Sequence, residues 1–256
     1  MNHVQQSFNR AATSYDAVGT LQHQVAQTLS QFVRTELPAG FSGKLLDAGC
    51  GTGYCLKHLH STYPSAQFLA LDFAAAMLRQ RPAALGIPGI QADIHRLPIA
   101  SDSINTYLSS LAWQWCDPAI AAQEAARVLT TEGNLFVATL VDGTFNELAR
   151  SLNACDINPD EHLLRCAPID TIRNALTAAG LEVKSFAAQQ ITTWHPDFKT
   201  LRRTIRGVGA NHLPTDSTPP FNRQSRAQLI NAYESLRTEQ GLPLSYEVLI
   251  IHARKP

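Results

Sequence analysis

Two acids and three glycines carry the first chemical signal in this chain. Asp47, Gly49, Gly51 and Gly53 fall at two-residue steps, and a second acid, Asp72, lies 19 residues beyond Gly53. Glycine has no Cβ, so a turn built from it lets the backbone come close to a ligand and permits positive φ. An acid inside a strand, two residues ahead of the first glycine, turns negative charge toward that turn and suits a cationic group. An acid closing the next strand can accept hydrogen bonds from ribose hydroxyls. The dinucleotide fingerprint wants glycine at its first, third and sixth positions. Counting from Gly49, the sixth position is the bulky Tyr54, so a pyrophosphate fits this turn poorly.

These residues need strands and helices to hold them. Residues 44–47 form an apolar strand that breaks into the glycine turn, and 54–62 continue as a helix with Leu56 and Leu59 on one face. Further strands are expected at 67–72, 89–92, 104–109, 134–141, 181–186 and 246–253. The clearest helices between them are 119–129 and 171–179, the latter bounded by Asp170 and Gly180. Alternation of this kind predicts a mostly parallel sheet covered on both faces. Ahead of it, residues 1–36 read as helical: Val18, Leu21, Val25, Leu29 and Phe32 make an amphipathic stripe that ends at Pro38-Ala39-Gly40. Residues 191–240, with Pro196, Pro214, Pro219 and Pro220, interrupt the rhythm and are too long for a simple turn. The expected organisation is one domain over 1–256: a helical cover (1–42), a core (43–190 and 241–256) and a lid insertion (191–240).

Bulk composition narrows the function classes. The 256 residues are 45% hydrophobic, enough to bury one large core. Lys+Arg and Asp+Glu balance at 21 each, which gives no reason to expect a nucleic-acid partner. Five cysteines without a Cys-x-x-Cys pair suggest neither a disulfide framework nor a zinc site. His58 and His60 point in different directions on a helix and read as surface residues. With a polar N-terminus and no membrane-length apolar run, the expectation is a cytoplasmic, monomeric enzyme without a metal.

The Asp-x-Gly-x-Gly-x-Gly pattern from Asp47 to Gly53 resembles motif I of class I S-adenosylmethionine-dependent methyltransferases, whose cofactor carries an ammonium and a sulfonium and no phosphate. The resemblance implies an α/β, Rossmann-like fold with an open, mostly parallel seven-stranded sheet. It also implies cofactor contacts at Asp47, Gly49, Cys50, Gly51, Asp72, Met77, Asp93, Ile94 and Leu111. In that class, an acid at the position of Asp93 accepts from the adenine amino group, and the next residue, Ile94, lies against the ring. The segment after the fourth strand, Leu108 to Trp115, passes under the methionine part of the cofactor. Trp113 and Trp115 there fit either cation–π contact with the sulfonium or core packing.

A closer resemblance covers nearly the whole chain. Phe8-Asn9-Arg10-Ala11-Ala12-Thr13-Ser14-Tyr15-Asp16 followed by Leu21-Gln22 is similar to the N-terminal segment of the malonyl-acyl-carrier-protein O-methyltransferases of biotin synthesis. So are Leu111-Ala112-Trp113-Gln114-Trp115-Cys116, residues 143–148 and, most specifically, residues 205–213. Ala74 and Ser110 depart from residues common there, serine and asparagine. The resemblance implies methylation of the free carboxylate of a malonyl thioester, carried by acyl-carrier protein or coenzyme A, to its methyl ester. It puts Tyr15 in a cover over the cofactor, where its hydroxyl could serve catalysis by orienting the substrate carboxylate.

The substrate residues are less legible. No paired histidine and acid marks a general base, and a carboxylate nucleophile needs none, being ionised at neutral pH with a pKa of about 4. It needs a cation to hold it. Lys199, Arg202, Arg203 and Arg206 fall at helical positions 0, 3, 4 and 7 and form one basic face. One arginine, Arg206, is expected to hold the malonyl carboxylate while Arg202 and Arg203 meet an acidic carrier. A solvated basic face is the plain alternative. Methylation of another small acid or cofactor precursor, and a non-catalytic cofactor-binding relative, stay open at this point.

Overall fold

A computed structural model describes residues 2–13, 15–207 and 222–256. Three helices open the chain: α1 (Asn2–Ala11), α2 (Tyr15–Val18) and α3 (Thr20–Glu36). The apolar stripe explains the third, whose Leu21, Val25, Leu29 and Val33 are buried. There follow β1 (Lys44–Ala48), α4 (Tyr54–Leu59), β2 (Gln67–Asp72), α5 (Ala75–Gln80), β3 (Gly89–Gln91) and β4 (Ile104–Ser110). The second half holds α6 (Pro118–Val128), β5 (Leu129–Leu140), α7 (Asn146–Asn153), α8 (Ile169–Ala178), β6 (Glu182–His195), α9 (Phe198–Gly207), α10 (Arg223–Glu234) and β7 (Leu242–Arg254).

The seven strands form one sheet in the order β3-β2-β1-β4-β5-β7-β6. β1 to β5 pair in parallel, while β7 runs antiparallel to both β5 and β6. Successive residues of a strand face opposite sides, and β1 shows this directly. Leu45 joins the core under α3 and α4, whereas Leu46 joins the core under α6 and α8. A sheet buried on both faces requires such apolar runs. Strand order reverses between β1 and β4, which opens a crevice beyond their carboxyl ends, where ligands of open α/β sheets bind.

Several elements differ from the expected bounds, among them α4, which ends at Leu59, and β7, which starts at Leu242; three others differ for physical reasons. β5 starts at Leu129 rather than 134, because Leu129 pairs with Ile104 and the Glu132 N–H donates to the Lys255 carbonyl near the chain end; its polar residues give no hydrophobic signal. β6 continues past 186 to His195, so the expected insertion start at 191 falls inside a strand. Its exposed Ala187–Gln190 stretch lacks alternation, and backbone pairing with β7 sustains it, joined by a Gln190 side-chain bond to Glu247 at 2.7 Å. α8 begins at Ile169 after Pro168, which puts Asp170 in the first helical turn rather than at the cap. His58 and His60 on and just after α4 are half-buried rather than fully exposed.

Candidate active site

The glycine turn is fastened to β2. The N–H groups of Gly49 and Cys50 both donate to the Leu71 carbonyl, at 2.7 and 2.9 Å, and the Gly51 N–H donates to Asp72 Oδ2 at 2.9 Å. All three glycines have positive φ, but two of them do different work. A Cβ on Gly49 would stand 2.3 Å from the Ala112 Cβ, so this glycine lets the turn pack against the loop after β4. A Cβ on Gly51 would meet nothing within 4 Å, so it would project into open space at the site.

That space is a cleft with about 770 Å³ of empty volume, part of it open to solvent. The structure brings Tyr15, Gly49, Gly51, Asp72, Met77, Asp93, Ile94 and Leu111 together around it, with Phe8, Phe73, Ser110 and Trp115. An inner lobe continues past Tyr15, Gly49, Gly51 and Ser110 to Asp47, Cys50 and Gln22. Leu111 takes a left-handed backbone, φ 53°, with its N–H bonded to the Ala138 carbonyl at 2.7 Å. Strain of this kind in a non-glycine residue gathers at ligand sites.

The two buried acids behave differently. Asp72 accepts from two backbone N–H groups, Gly51 on Oδ2 and Ala74 on Oδ1 at 2.8 Å. Burial pushes its pKa up to about 6, against the lowering effect of those two bonds. Asp47 is 1% exposed and neither of its oxygens has a hydrogen-bond partner. Burial, reinforced by the Asp72 charge, pushes its pKa up to about 8 although Arg81 pulls the other way. The expected negative charge at Asp47 is therefore largely neutralised by a proton at neutral pH unless a cation enters the lobe.

At the other end, Asp93 Oδ1 accepts from the His95 N–H at 3.0 Å and faces His95 Nδ1 at 2.8 Å. His95 Nε2 accepts from the Asp117 N–H at 2.9 Å, which fixes the proton on Nδ1. The Asp93 side chain keeps 26% of its exposure and its remaining acceptor capacity faces the cleft. His95 carried no motif in the sequence, and only the neighbouring acid could have drawn attention to it.

The N-terminal cover is bonded to this floor. Asp16 accepts from the Thr52 hydroxyl at 2.6 Å and pairs with Lys57 at 3.5 Å. Burial would raise the Asp16 carboxyl, but those hydrogen bonds and the Lys57 charge hold it below its usual range. Gln5 donates to the Phe73 carbonyl at 2.6 Å, and the Asn9 side chain accepts from Ala76 at the start of α5. Phe8 then packs edge-on against Trp115 and Phe73. The two tryptophans part company here. Trp113 is core, its indole N–H donating to the Tyr107 hydroxyl at 3.3 Å, while Trp115 lines the cleft with a buried N–H that has no partner. Tyr15 lines both lobes; burial and the charges of Asp72 and Asp16 raise its pKa far above the usual phenol value, so it stays a hydrogen-bond donor.

The basic helix stands outside the cleft. α9 buries Leu201 and Ile205 and touches α2, while Lys199 and Arg203 are exposed and Arg202 is half-buried. Neither Arg202 nor Arg203 lines either lobe, and the Arg206 side chain lies outside the described residues, as does most of the 205–213 segment. A more open cleft at the opposite end of the sheet holds Glu36, Glu132, Lys184, His252 and Arg254. Its charges are paired, Arg254 with Glu132, Lys184 with Glu182 and His252 with Glu36 and Asn134. The unpartnered buried groups of Gln22, Asp47, Tyr54 and Trp115 line the first cleft or its inner lobe, while those of Ser30 and Thr106 lie elsewhere.

The donor set of that cleft fits S-adenosylmethionine. A carboxyl without partners awaits a cation in the inner lobe, Asp72 keeps lone pairs for hydroxyls, and Asp93 closes an apolar end formed by Phe73, Met77 and Ile94. Comparisons with known proteins agree. The chain matches the family described as a methyltransferase domain over residues 46–137. It is 37% identical to the malonyl-[acyl-carrier protein] O-methyltransferase of Dechloromonas aromatica, an alignment covering 98% of this chain and 94% of that one. It is 32% identical to the biotin biosynthesis bifunctional protein BioHC of Saccharophagus degradans, across 96% of this chain and 45% of that longer one. The geranyl diphosphate C-methyltransferase of Streptomyces coelicolor, solved with S-adenosyl-L-homocysteine, shares the fold with a TM-score of 0.56, at 16% identity over 91% of this chain and 80% of that one. With near-complete coverage at such identity, the chain belongs to the malonyl-[acyl-carrier protein] O-methyltransferase family, within the class I S-adenosylmethionine-dependent methyltransferases.

Proposed function

We propose that this enzyme methylates the free carboxylate of malonyl-acyl-carrier protein to its methyl ester, an early step of biotin synthesis. The observation that carries the reading is a partnerless carboxyl, Asp47, buried in the inner lobe of the cleft in a chain of this family. S-adenosylmethionine supplies the methyl group and its activated carbon. Asp72 and Asp93 hold the nucleoside end, with Met77 and Ile94 against the base, and Asp47 with the Gly49–Gly51 turn holds the amino-acid end. Tyr15, kept protonated by burial, donates a hydrogen bond to one oxygen of the incoming carboxylate and leaves the other free to attack. The cover and Trp115 exclude water, so the reaction rests on alignment and desolvation rather than a general base.

The segment between β6 and β7 acts as a lid, a role supported by the contact of α9 with α2, which carries Tyr15. Arg206 pairs with the malonyl carboxylate, and Arg202 and Arg203 meet the acidic carrier. Capping the acid hides its charge from pockets built for alkyl chains, where a buried unpaired carboxylate is costly. The reading includes a monomeric enzyme in the cytoplasm, which five free cysteines fit. Among the described residues no helix is long and apolar enough to cross a membrane.

The test pairs calorimetric titration of S-adenosylmethionine with methyl-transfer assays on malonyl-acyl-carrier protein, malonyl-coenzyme A and the acetyl thioesters. Transfer to malonyl but not acetyl thioesters, fastest on the carrier protein, is the expected result. Cofactor binding without malonyl transfer would leave a methyltransferase for a different acid, and no binding would remove the reading altogether.

A further inference from the structure

Gln22 and Ser30 are the polar residues among the buried positions of α3, and of the two only Gln22 lines the inner lobe. Its buried neighbours on that helix, Leu21, Val25, Ala26 and Leu29, are apolar, yet this amide is itself only 8% exposed. Its Oε1 is buried and has no hydrogen-bond partner. It lines the same inner lobe as Asp47, whose two oxygens are likewise buried and unpartnered. The lobe thus collects three acceptor oxygens. The Thr52 hydroxyl on its wall is already given to Asp16, and the Tyr15, Tyr54 and Ser110 hydroxyls that also line the lobe make no hydrogen bond to these oxygens. A buried acceptor left unsatisfied destabilises the fold, and a methionine of similar length would avoid that. Three unpartnered acceptor oxygens on two residues lining one lobe are matched by a ligand group with three N–H donors.

We propose that Gln22 is a cofactor-binding residue, completing with the Asp47 carboxyl a three-oxygen acceptor set for the primary ammonium of the cofactor's amino-acid end. The inference rests on the cofactor reading above. Its consequence is that the ammonium site belongs to two parts of the chain. Asp47 comes from the sheet and Gln22 from the N-terminal helical cover, so recognition of the amino-acid end requires α3 docked on the core. The same helix carries Leu21, Val25 and Leu29 into the core under the glycine turn, which holds the amide in register with Asp47.

The experiment uses the full chain and three probes, measured by calorimetry: S-adenosylhomocysteine, its decarboxylated amine, which keeps the ammonium, and methylthioadenosine, which lacks the amino-acid end. Gln22→Met should weaken the first two by ten-fold or more and leave methylthioadenosine within two-fold of wild type, with an unliganded melting temperature no lower than wild type. Should that variant fail to fold, Gln22→Asn, which withdraws the amide by one methylene, should show the same split less strongly. Equal weakening of all three probes would make Gln22 a packing residue and overturn the proposal. Weakening of S-adenosylhomocysteine alone would assign the amide to the carboxylate and overturn it as well. Failure of the wild-type protein to bind any probe would instead strike the cofactor reading itself.

Discussion

Asp47 and Asp72 sit near the carboxyl ends of neighbouring parallel strands, where Asp47 lies opposite Ala70, and both are almost fully buried. Yet one accepts a backbone N–H on each oxygen and the other has no partner. Asp72 belongs to the architecture before any ligand arrives, because it ties Gly51 and the start of α5 to β2. Asp47 contributes nothing to the fold that an apolar residue could not, and burial makes it a liability. The difference separates two ways of building a site: an acid whose bonds shape the pocket, and an acid kept unpaired so that a cation can satisfy it. Function then accounts for the second where stability does not.

The contrast is broken most sharply by removing each charge without changing shape. Asp47→Asn should weaken S-adenosylmethionine by about 30-fold or more, since truncating one partner of a buried charge pair costs ~2–5 kcal/mol, while the unliganded protein melts no lower than wild type. Asp72→Asn should do the reverse in part. One of its two backbone donors loses its acceptor, so the unliganded protein should lose ~1–3 kcal/mol, with cofactor affinity falling about tenfold. Thermal unfolding and calorimetry on both variants decide the matter. Equal destabilisation by the two substitutions would erase the distinction.

The turn glycines offer the next largest effect. Gly49→Ala drives a methyl to 2.3 Å from the Ala112 Cβ on top of a left-handed backbone, so the turn must move and the melting temperature should drop by several degrees or more. Gly51→Ala meets open space, and its φ of 53° costs only ~1 kcal/mol in a non-glycine residue. It should fold and bind poorly, because its methyl occupies the cleft. A Gly51 variant with normal affinity would move the ligand away from this turn.

Much of this was legible in the chain. The strand–glycine–helix–strand–acid order from Leu45 to Asp72 marks the turn and the two acids of the cleft because a glycine run and a strand-end acid each have few geometric uses. Spacing could not show which acid would take backbone donors, since that depends on where the N–H groups of Gly51 and Ala74 point. Gln22 and His95 were invisible as site residues for a related reason. A glutamine on an amphipathic helix reads as surface until its burial is known, and His95 matters only through the Asp93 and Asp117 groups that the fold brings to its two nitrogens. The long β6 escaped notice because an edge strand held by backbone bonds needs no hydrophobic alternation.

Acidity separates the two carboxyls again. A carboxyl whose folded pKa lies above its unfolded value binds its proton more tightly when folded, so the associated stability is present at low pH and is lost as pH rises toward the folded pKa. For Asp47 that window runs from its ordinary 3.8 to about 8, and for Asp72 to about 6. The unliganded enzyme should therefore lose stability from about pH 4 to 8 through these groups, with the upper part of the slope abolished by Asp47→Asn. A cation in the inner lobe favours the ionised form, so cofactor binding below pH 8 should release a proton and tighten as pH rises, levelling above about 8. Calorimetry in buffers of different ionisation enthalpy counts that proton; a count of zero at pH 7 would mean that Asp47 is not the group facing the cation.

The smallest effect belongs to the far end of the cleft. Asp93 is neither orphaned like Asp47 nor bonded only from the backbone like Asp72; one of its two donors is a side chain, His95, which the Asp117 N–H holds from the opposite nitrogen. Removing that ring leaves Asp93 with the His95 backbone N–H and with water, because the carboxylate is partly exposed. His95→Phe should therefore weaken S-adenosylhomocysteine by only about two- to tenfold, the ~0.5–1.5 kcal/mol of one hydrogen bond. The loss should fall on base recognition: the inosyl analogue, which lacks the exocyclic amino group that Asp93 would accept from, should bind wild type and variant nearly alike. If the variant weakens both ligands to the same extent, the ring supports the loop ahead of α6 and not the orientation of Asp93.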